Sequence, residues 1–188
     1  MIHLTLVRHL KTSWNSEGKL QGRADISILP DQADTIRRLK RSLKASSYDL
    51  VFTSQLGRTQ ETAIACGYGD RAEASELLNE IDFGDWEGRP ASELRSTTSW
   101  MDNPREVELG ESFDRFVARV TLFLRQLLEY GEGRVLVFGH GAWIRCGIAL
   151  IEKGQPGSMN RVVIEHGEPY LIRFDEHNVI WNEAKPSH

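Results

Sequence analysis

The sequence predicts an α/β fold, a three-layer sandwich in which a mainly parallel central sheet is flanked by helices. Three observations carry that expectation. Short runs rich in aliphatic and β-branched residues mark buried strands of a parallel sheet. Amphipathic segments of helical period alternate with them. Two of the buried runs end at a histidine, where open parallel sheets place their ligands. Residues 1–188 are read as one domain, large enough to bury a real core.

Residues 2–7 (IHLTLV) form the first expected strand, and a polar, glycine-containing loop spans roughly residues 11–30. Residues 31–46 carry Ala33, Ile36, Leu39 and Leu43 at helical spacing, with Pro30 and Asp31 as start signals. Residues 50–53 (LVFT) read as a second strand, and residues 56–66 as a helix stopped by Gly67. Residues 72–110 are the least regular part: an acidic-aromatic segment, a short helix and a loop with Trp and Pro. Residues 112–128 give the clearest helix, with Phe113, Phe116, Val117, Val120, Phe123, Leu124 and Leu127 on one apolar stripe. A buried strand at 134–138 runs into Gly139-His140-Gly141, residues 142–151 are helical by composition, and closing strands are expected near 161–165, 170–174 and 179–181.

Composition excludes several functions. A net charge of −4 argues against a general binder of nucleic acid or anionic membrane. Any bound anion must therefore be held by a local positive cluster. Cys66 and Cys146 lie far apart without metal spacing and read as buried thiols. With no signal peptide and no apolar run of membrane-spanning length, the chain is expected to be cytoplasmic.

Four segments carry chemistry. Arg8-His9 follows the first strand, with Thr12 and Asn15 just beyond. Arg58 stands in a first helical turn, which the helix dipole disfavours for a cation unless an anion sits there too. Glu80 lies among four acids in the segment 79–88 (NEIDFGDWEG), most of them expected to be solvated. His140, flanked by glycines at a strand end, can approach a ligand closely. Each segment alone also fits an ordinary structural or solvated residue.

Together they resemble the histidine phosphatase superfamily, in its phosphoglycerate mutase-like branch, over nearly the whole chain. The matching pieces are Arg8-His9-x-x-Thr12, Trp14-Asn15, Ser54-x-Leu56-x-Arg58-Thr59-x-x-Thr62-Ala63, Glu80 with Phe83-Gly84-x-Trp86-Glu87-Gly88, Gly139-His140-Gly141 and Ile144-Arg145. The resemblance implies a phosphomonoesterase with His9 as nucleophile and Glu80 as acid and then base. Arg8, Asn15, Arg58, His140 and Gly141 would hold the phosphoryl oxygens, and Thr12, Gln21 and Gly22 would meet the rest of the substrate. It implies no cofactor and no metal, since the arginines supply positive charge and would repel a cation placed between His9, His140 and Glu80. The attacking nitrogen of His9 must be unprotonated, so its other nitrogen should donate to a carbonyl or carboxylate.

Two features bear on activity and substrate. Leu10 stands where the family has glycine, and a leucine cannot easily take positive φ. The chain has little spare length between Gly88 and Arg134 to close a mutase site, so hydrolysis is expected over transfer. The acid segment and chain size further resemble α-ribazole-5′-phosphate phosphatases of cobalamin assembly, with Trp14, Trp86 or Trp100 as a stacking surface. A sugar-phosphate phosphatase, a mutase, a phosphohistidine phosphatase and a non-catalytic phosphate-binding module are the alternatives. The expected partner is a small phosphate ester, neither nucleic acid nor membrane; a homodimer is left open.

Overall fold

The computed structural model describes residues 1–177. Its centre is β1 (Ile2–Arg8), which pairs in parallel with β4 (Gly133–Gly139) and antiparallel with β5 (Pro169–Phe174). β2 (Leu50–Ser54) and β3 (Ala72–Ser75) continue the sheet beyond β4, giving the order β3-β2-β4-β1-β5. β1 and β4 each bury five of their seven residues, because both faces are covered.

Leu4, Leu6, Val135 and Val137 pack on one face against α6 (Phe113–Tyr130) and α7 (Gly141–Lys153). Val7, Leu136 and Phe138 pack on the other against Leu39 and Leu43 of α2 (Ala33–Lys44) and Ala63 of α3 (Gly57–Cys66). That is the expected three-layer sandwich. α1 (Ser13–Ser16), α4 (Ala91–Arg95) and α5 (Thr98–Asp102) are short pieces within the loops.

Register positions the site. Arg8 lies opposite Gly139, so the residues that follow, His9 and His140, leave adjacent strands side by side. The His9 N–H still donates to the Gly139 carbonyl at 3.0 Å.

Several expectations need correction. Residues 162–165 form no strand; Arg161 closes a 3-10 turn, and β5 already occupies the edge beside β1. The expected strand at 179–181 lies outside the described residues. β3 lies inside the stretch read as irregular. The acids of 79–88 are also not mostly solvated: of Glu80, Asp82, Asp85 and Glu87, only Asp85 is exposed. Among the described residues no helix is long and apolar enough to cross a membrane.

Candidate active site

His9 is buried, and its ring centroid lies 5.4 Å from that of His140. Its Nδ1–H donates to the Leu10 carbonyl at 2.7 Å, the partner type expected from sequence. This bond fixes the tautomer and leaves Nε2 with a free lone pair. Burial, followed by the charges of Arg58, His166 and Arg8, holds the His9 pKa well below the ordinary histidine value. The ring is therefore neutral at physiological pH, with Nε2 unprotonated.

Leu10 does not disturb this arrangement. It is wholly buried, no residue other than glycine takes positive φ among those described, and its N–H donates to Thr62 Oγ1. A backbone of ordinary dihedrals supplies the carbonyl that orients His9, so a glycine is not required here.

Arg58 projects from the first turn of α3 and is fully buried. Its Nη2 donates to the Gly22 carbonyl at 2.6 Å and its Nη1 to the Ala24 carbonyl at 2.8 Å, while its Nε has no partner. The loop is pinned in turn by Glu87, whose carboxylate accepts from the N–H groups of Arg23 and Ala24. A Cβ on Gly22 would stand 2.5 Å from the Ile81 carbonyl oxygen, so glycine is what lets the loop close on the acid segment. Gly22, expected to meet substrate, thus acts through Arg58.

His140 is the N-cap of α7 and is completely buried. Its Nε2 lies 2.7 Å from Ser54 Oγ, and its Nδ1 is unpartnered. Burial first, then Arg58 and His9, keep its pKa well below the usual value. Arg8 is half-buried, and its buried Nε also lacks a partner; its guanidinium lies 3.3 Å from where a Gly141 Cβ would stand. Burial and the charge of Arg145 push the Arg8 pKa down to about 10, and burial pushes that of Arg58 to about 10, so both remain cations at neutral pH.

The structure thus gathers Arg8, His9, Arg58, His140 and Gly141 around one point. Three buried polar atoms there, on Arg8, Arg58 and His140, have no protein partner among the described residues. Unpaired buried groups are costly and rare in a folded protein, and a set converging on one place marks a ligand site.

Glu80 stands at the rim of the same point. Its carboxylate accepts from the N–H groups of Ala142 at 2.8 Å, Trp143 at 3.0 Å and Ile81 at 2.9 Å, so it binds the first turn of α7 just after His140. Arg119 braces its backbone, donating to the carbonyls of Leu77, Asn79 and Glu80 while pairing with Glu111 at 2.7 Å. Glu111 therefore serves the Glu80 segment.

The first loop gives a mixed result. Asn15 Oδ1 accepts from the Thr12 N–H in a capping box that starts α1, and its amide nitrogen has no hydrogen-bond partner among the described residues. Thr12, expected to touch substrate, is fully buried, and its hydroxyl lies 2.6 Å from Gln21 Oε1 and 3.0 Å from Asn15 Oδ1. Thr12 orients those two side chains instead. Gln21 is buried and donates to the Ala24 carbonyl.

Sequence reasoning missed His166. Its ring centroid lies 5.2 Å from that of His9, and its Nδ1–H donates to the His9 carbonyl at 2.8 Å. Burial, followed by the charge of Arg8, pushes its pKa down to about 3. The only local signal was the dipeptide His166-Gly167, which repeats His140-Gly141.

Comparisons with known proteins place this geometry. The α-ribazole phosphatase of Shigella flexneri superposes with a TM-score of 0.79 at 27% identity, covering 93% of this chain and 91% of that one. A phosphoserine phosphatase from Entamoeba histolytica, solved with 3-phosphoglyceric acid, gives 0.81 at 25% identity, covering 95% and 93%. By sequence, the 2,3-bisphosphoglycerate-dependent phosphoglycerate mutase of Azorhizobium caulinodans is 30% identical over 91% of each chain. The family description "Histidine phosphatase superfamily (branch 1)" matches residues 4–184, and with that span the chain belongs to this superfamily of phosphatases and mutases.

Proposed function

We propose that the chain hydrolyses small phosphomonoesters through a phosphohistidine on His9, with Glu80 as proton donor and acceptor. The observation that carries this is a buried His9 whose Nδ1–H is spent on Leu10 and whose Nε2 is free, ringed by unpaired groups of Arg8, Arg58 and His140. Nε2 attacks phosphorus, an N–P bond forms and the bond to the ester oxygen breaks. The leaving alkoxide takes the Glu80 carboxyl proton. Glu80 then takes a proton from water, the water oxygen attacks phosphorus, the N–P bond breaks, and phosphate leaves with His9 neutral again.

The two arginines, His140 and the Gly141 N–H hold the equatorial oxygens, where transition-state charge lies. Ser54, donating to Nε2 of His140, would leave Nδ1–H to face an oxygen. Asn15 would add its amide N–H. No metal is required, because fixed cations meet the developing charge, and a divalent ion among them would be repelled. A cytoplasmic protein acting on a soluble ester fits this chemistry.

The alcohol is read in two ways. Likeness to the Shigella enzyme supports α-ribazole 5′-phosphate, the substrate expected from sequence, with Trp100 beside the site. Arg95 and Arg145, which line the cavity beside Arg8, favour an acidic alcohol, as do the phosphoserine phosphatase and mutase likenesses. Phosphate release from p-nitrophenyl phosphate in EDTA, abolished by His9→Ala, tests the hydrolase. Binding of phosphate without turnover would instead mark a non-catalytic module.

A further inference from the structure

β1 ends at Arg8, just before the residue that must be aimed. His9 is still held on the β4 side, where its N–H donates to the Gly139 carbonyl at 3.0 Å. On the β5 side a side chain takes over from the sheet ladder: the Nδ1–H of His166 donates to the His9 carbonyl at 2.8 Å. Gly167 brings that ring into place. Its N–H donates to the Arg8 carbonyl at 3.0 Å. Its φ is +68°, and a Cβ there would stand 2.6 Å from Thr35 Cγ2 and 3.2 Å from Leu10 Cδ2.

The carbonyl of His9 and the N–H of Leu10 belong to one peptide unit, which is planar and turns as a whole. His166 holds its oxygen, and Thr62 Oγ1 accepts from its N–H at 3.0 Å. The same Thr62 hydroxyl donates to the Arg58 carbonyl at 2.7 Å, which anchors the clamp in α3. A peptide fixed at both ends sets where the next carbonyl, that of Leu10, points. That carbonyl accepts from the His9 Nδ1–H at 2.7 Å and so decides which way Nε2 faces. The His166 ring also lies edge-on to that of His9, with 5.2 Å between centroids and 68° between planes.

We propose that His166 is a positioning residue, which aims His9 Nε2 at phosphorus by holding the His9–Leu10 peptide against Thr62. Its action runs through the backbone, since its Nδ1–H is committed to the His9 carbonyl. In-line attack tolerates little error: about an ångström of misplacement costs about a hundredfold. This rests on His9 being the nucleophile, as proposed above, and adds the residue that orients it.

The test compares His166→Ala with His166→Asn in the full-length chain. Asparagine Nδ2 stands near the place of histidine Nδ1 and can keep the bond, whereas alanine cannot. With p-nitrophenyl phosphate, His166→Ala should lower kcat about tenfold to a hundredfold, while KM and inhibition by inorganic phosphate change less than about twofold. His166→Asn should recover most of that loss. His166→Leu, which fills the space of the ring without a donor, replaces the alanine variant if that chain does not fold. A kcat unchanged by removal of the donor, a loss that asparagine does not recover, or a loss carried by KM and phosphate affinity overturns the proposal. NMR of the imidazole nitrogens gives a readout independent of turnover. The His9 proton should sit on Nδ1 alone in the wild-type chain and be shared between both ring nitrogens once the His166 donor is removed; an unchanged tautomer overturns the clamp. Failure of the wild-type chain to hydrolyse p-nitrophenyl phosphate overturns the hydrolase reading, and the NMR comparison still decides the clamp.

Discussion

Acidification should unfold this protein through its own active site. His9, His140 and His166 all have folded-state pKa values below the ordinary histidine value, and each is foremost displaced by burial. The sign follows from proton counting. Between the folded value and about 6.5, the unfolded chain binds a proton on each of these histidines and the folded chain does not. Stability therefore rises with pH across that window and is lost as pH falls; for His166 the window runs down to about 3. His166 alone removes about 1.4 kcal/mol by pH 5.5, against a typical domain stability of roughly 5–15 kcal/mol, and His9 and His140 act in the same direction. Urea unfolding followed by circular dichroism between about pH 7.5 and 5.5 reads this directly. His166→Gln, whose amide can still donate to the His9 carbonyl, should reduce the loss by about 1.4 kcal/mol at pH 5.5. A stability that is flat over that range, or a slope unchanged in His166→Gln, would refute the buried neutral trio.

Arg58→Lys keeps a charge but cannot span the carbonyls of Gly22 and Ala24 while also facing an oxyanion, so kcat/KM for p-nitrophenyl phosphate should fall about a hundredfold to a thousandfold. Gly22→Ala would push a methyl onto the Ile81 carbonyl; thermal unfolding should show a loss of about 1–3 kcal/mol, with activity reduced through Arg58. Glu80→Gln should lower kcat for an alkyl phosphate far more than for p-nitrophenyl phosphate, whose leaving group needs little proton donation. An equal loss on both esters would point to a structural role for Glu80 at α7. EDTA should leave turnover unchanged in a steady-state assay, since the charge is fixed in the side chains.

The sheet centre and the two histidines at its strand ends were legible because their signals are local. β1 and β4 are rich in aliphatic and β-branched residues, and each leads directly to its histidine. β3 (AEAS) was not legible, since an edge strand with two exposed and two half-buried residues has no apolar pattern to read. The opposite error arose at 162–165 (VVIE), where β-branched residues suggest a strand; Val163 is 81% exposed and finds no neighbouring strand. Residues that act at long range were invisible. Glu87 reaches the N–H groups of Arg23 and Ala24 across more than sixty residues of chain, and His166 meets His9 at a separation of 157. Their chemistry lies in backbone groups, which a sequence motif does not mark. The effect of Leu10 was not legible for a related reason: the family glycine suggests a special backbone, whereas ordinary dihedrals suffice to present the Leu10 carbonyl to His9.

The most direct measurement is to quench a reaction with p-nitrophenyl phosphate within milliseconds, keep the sample alkaline, and map the modified peptide by mass spectrometry. If His9 is the nucleophile, a phosphoryl group appears on its imidazole during turnover and disappears as phosphate is released. Phosphate released with every histidine unmodified, or the label on His140 or His166 instead, would contradict that assignment.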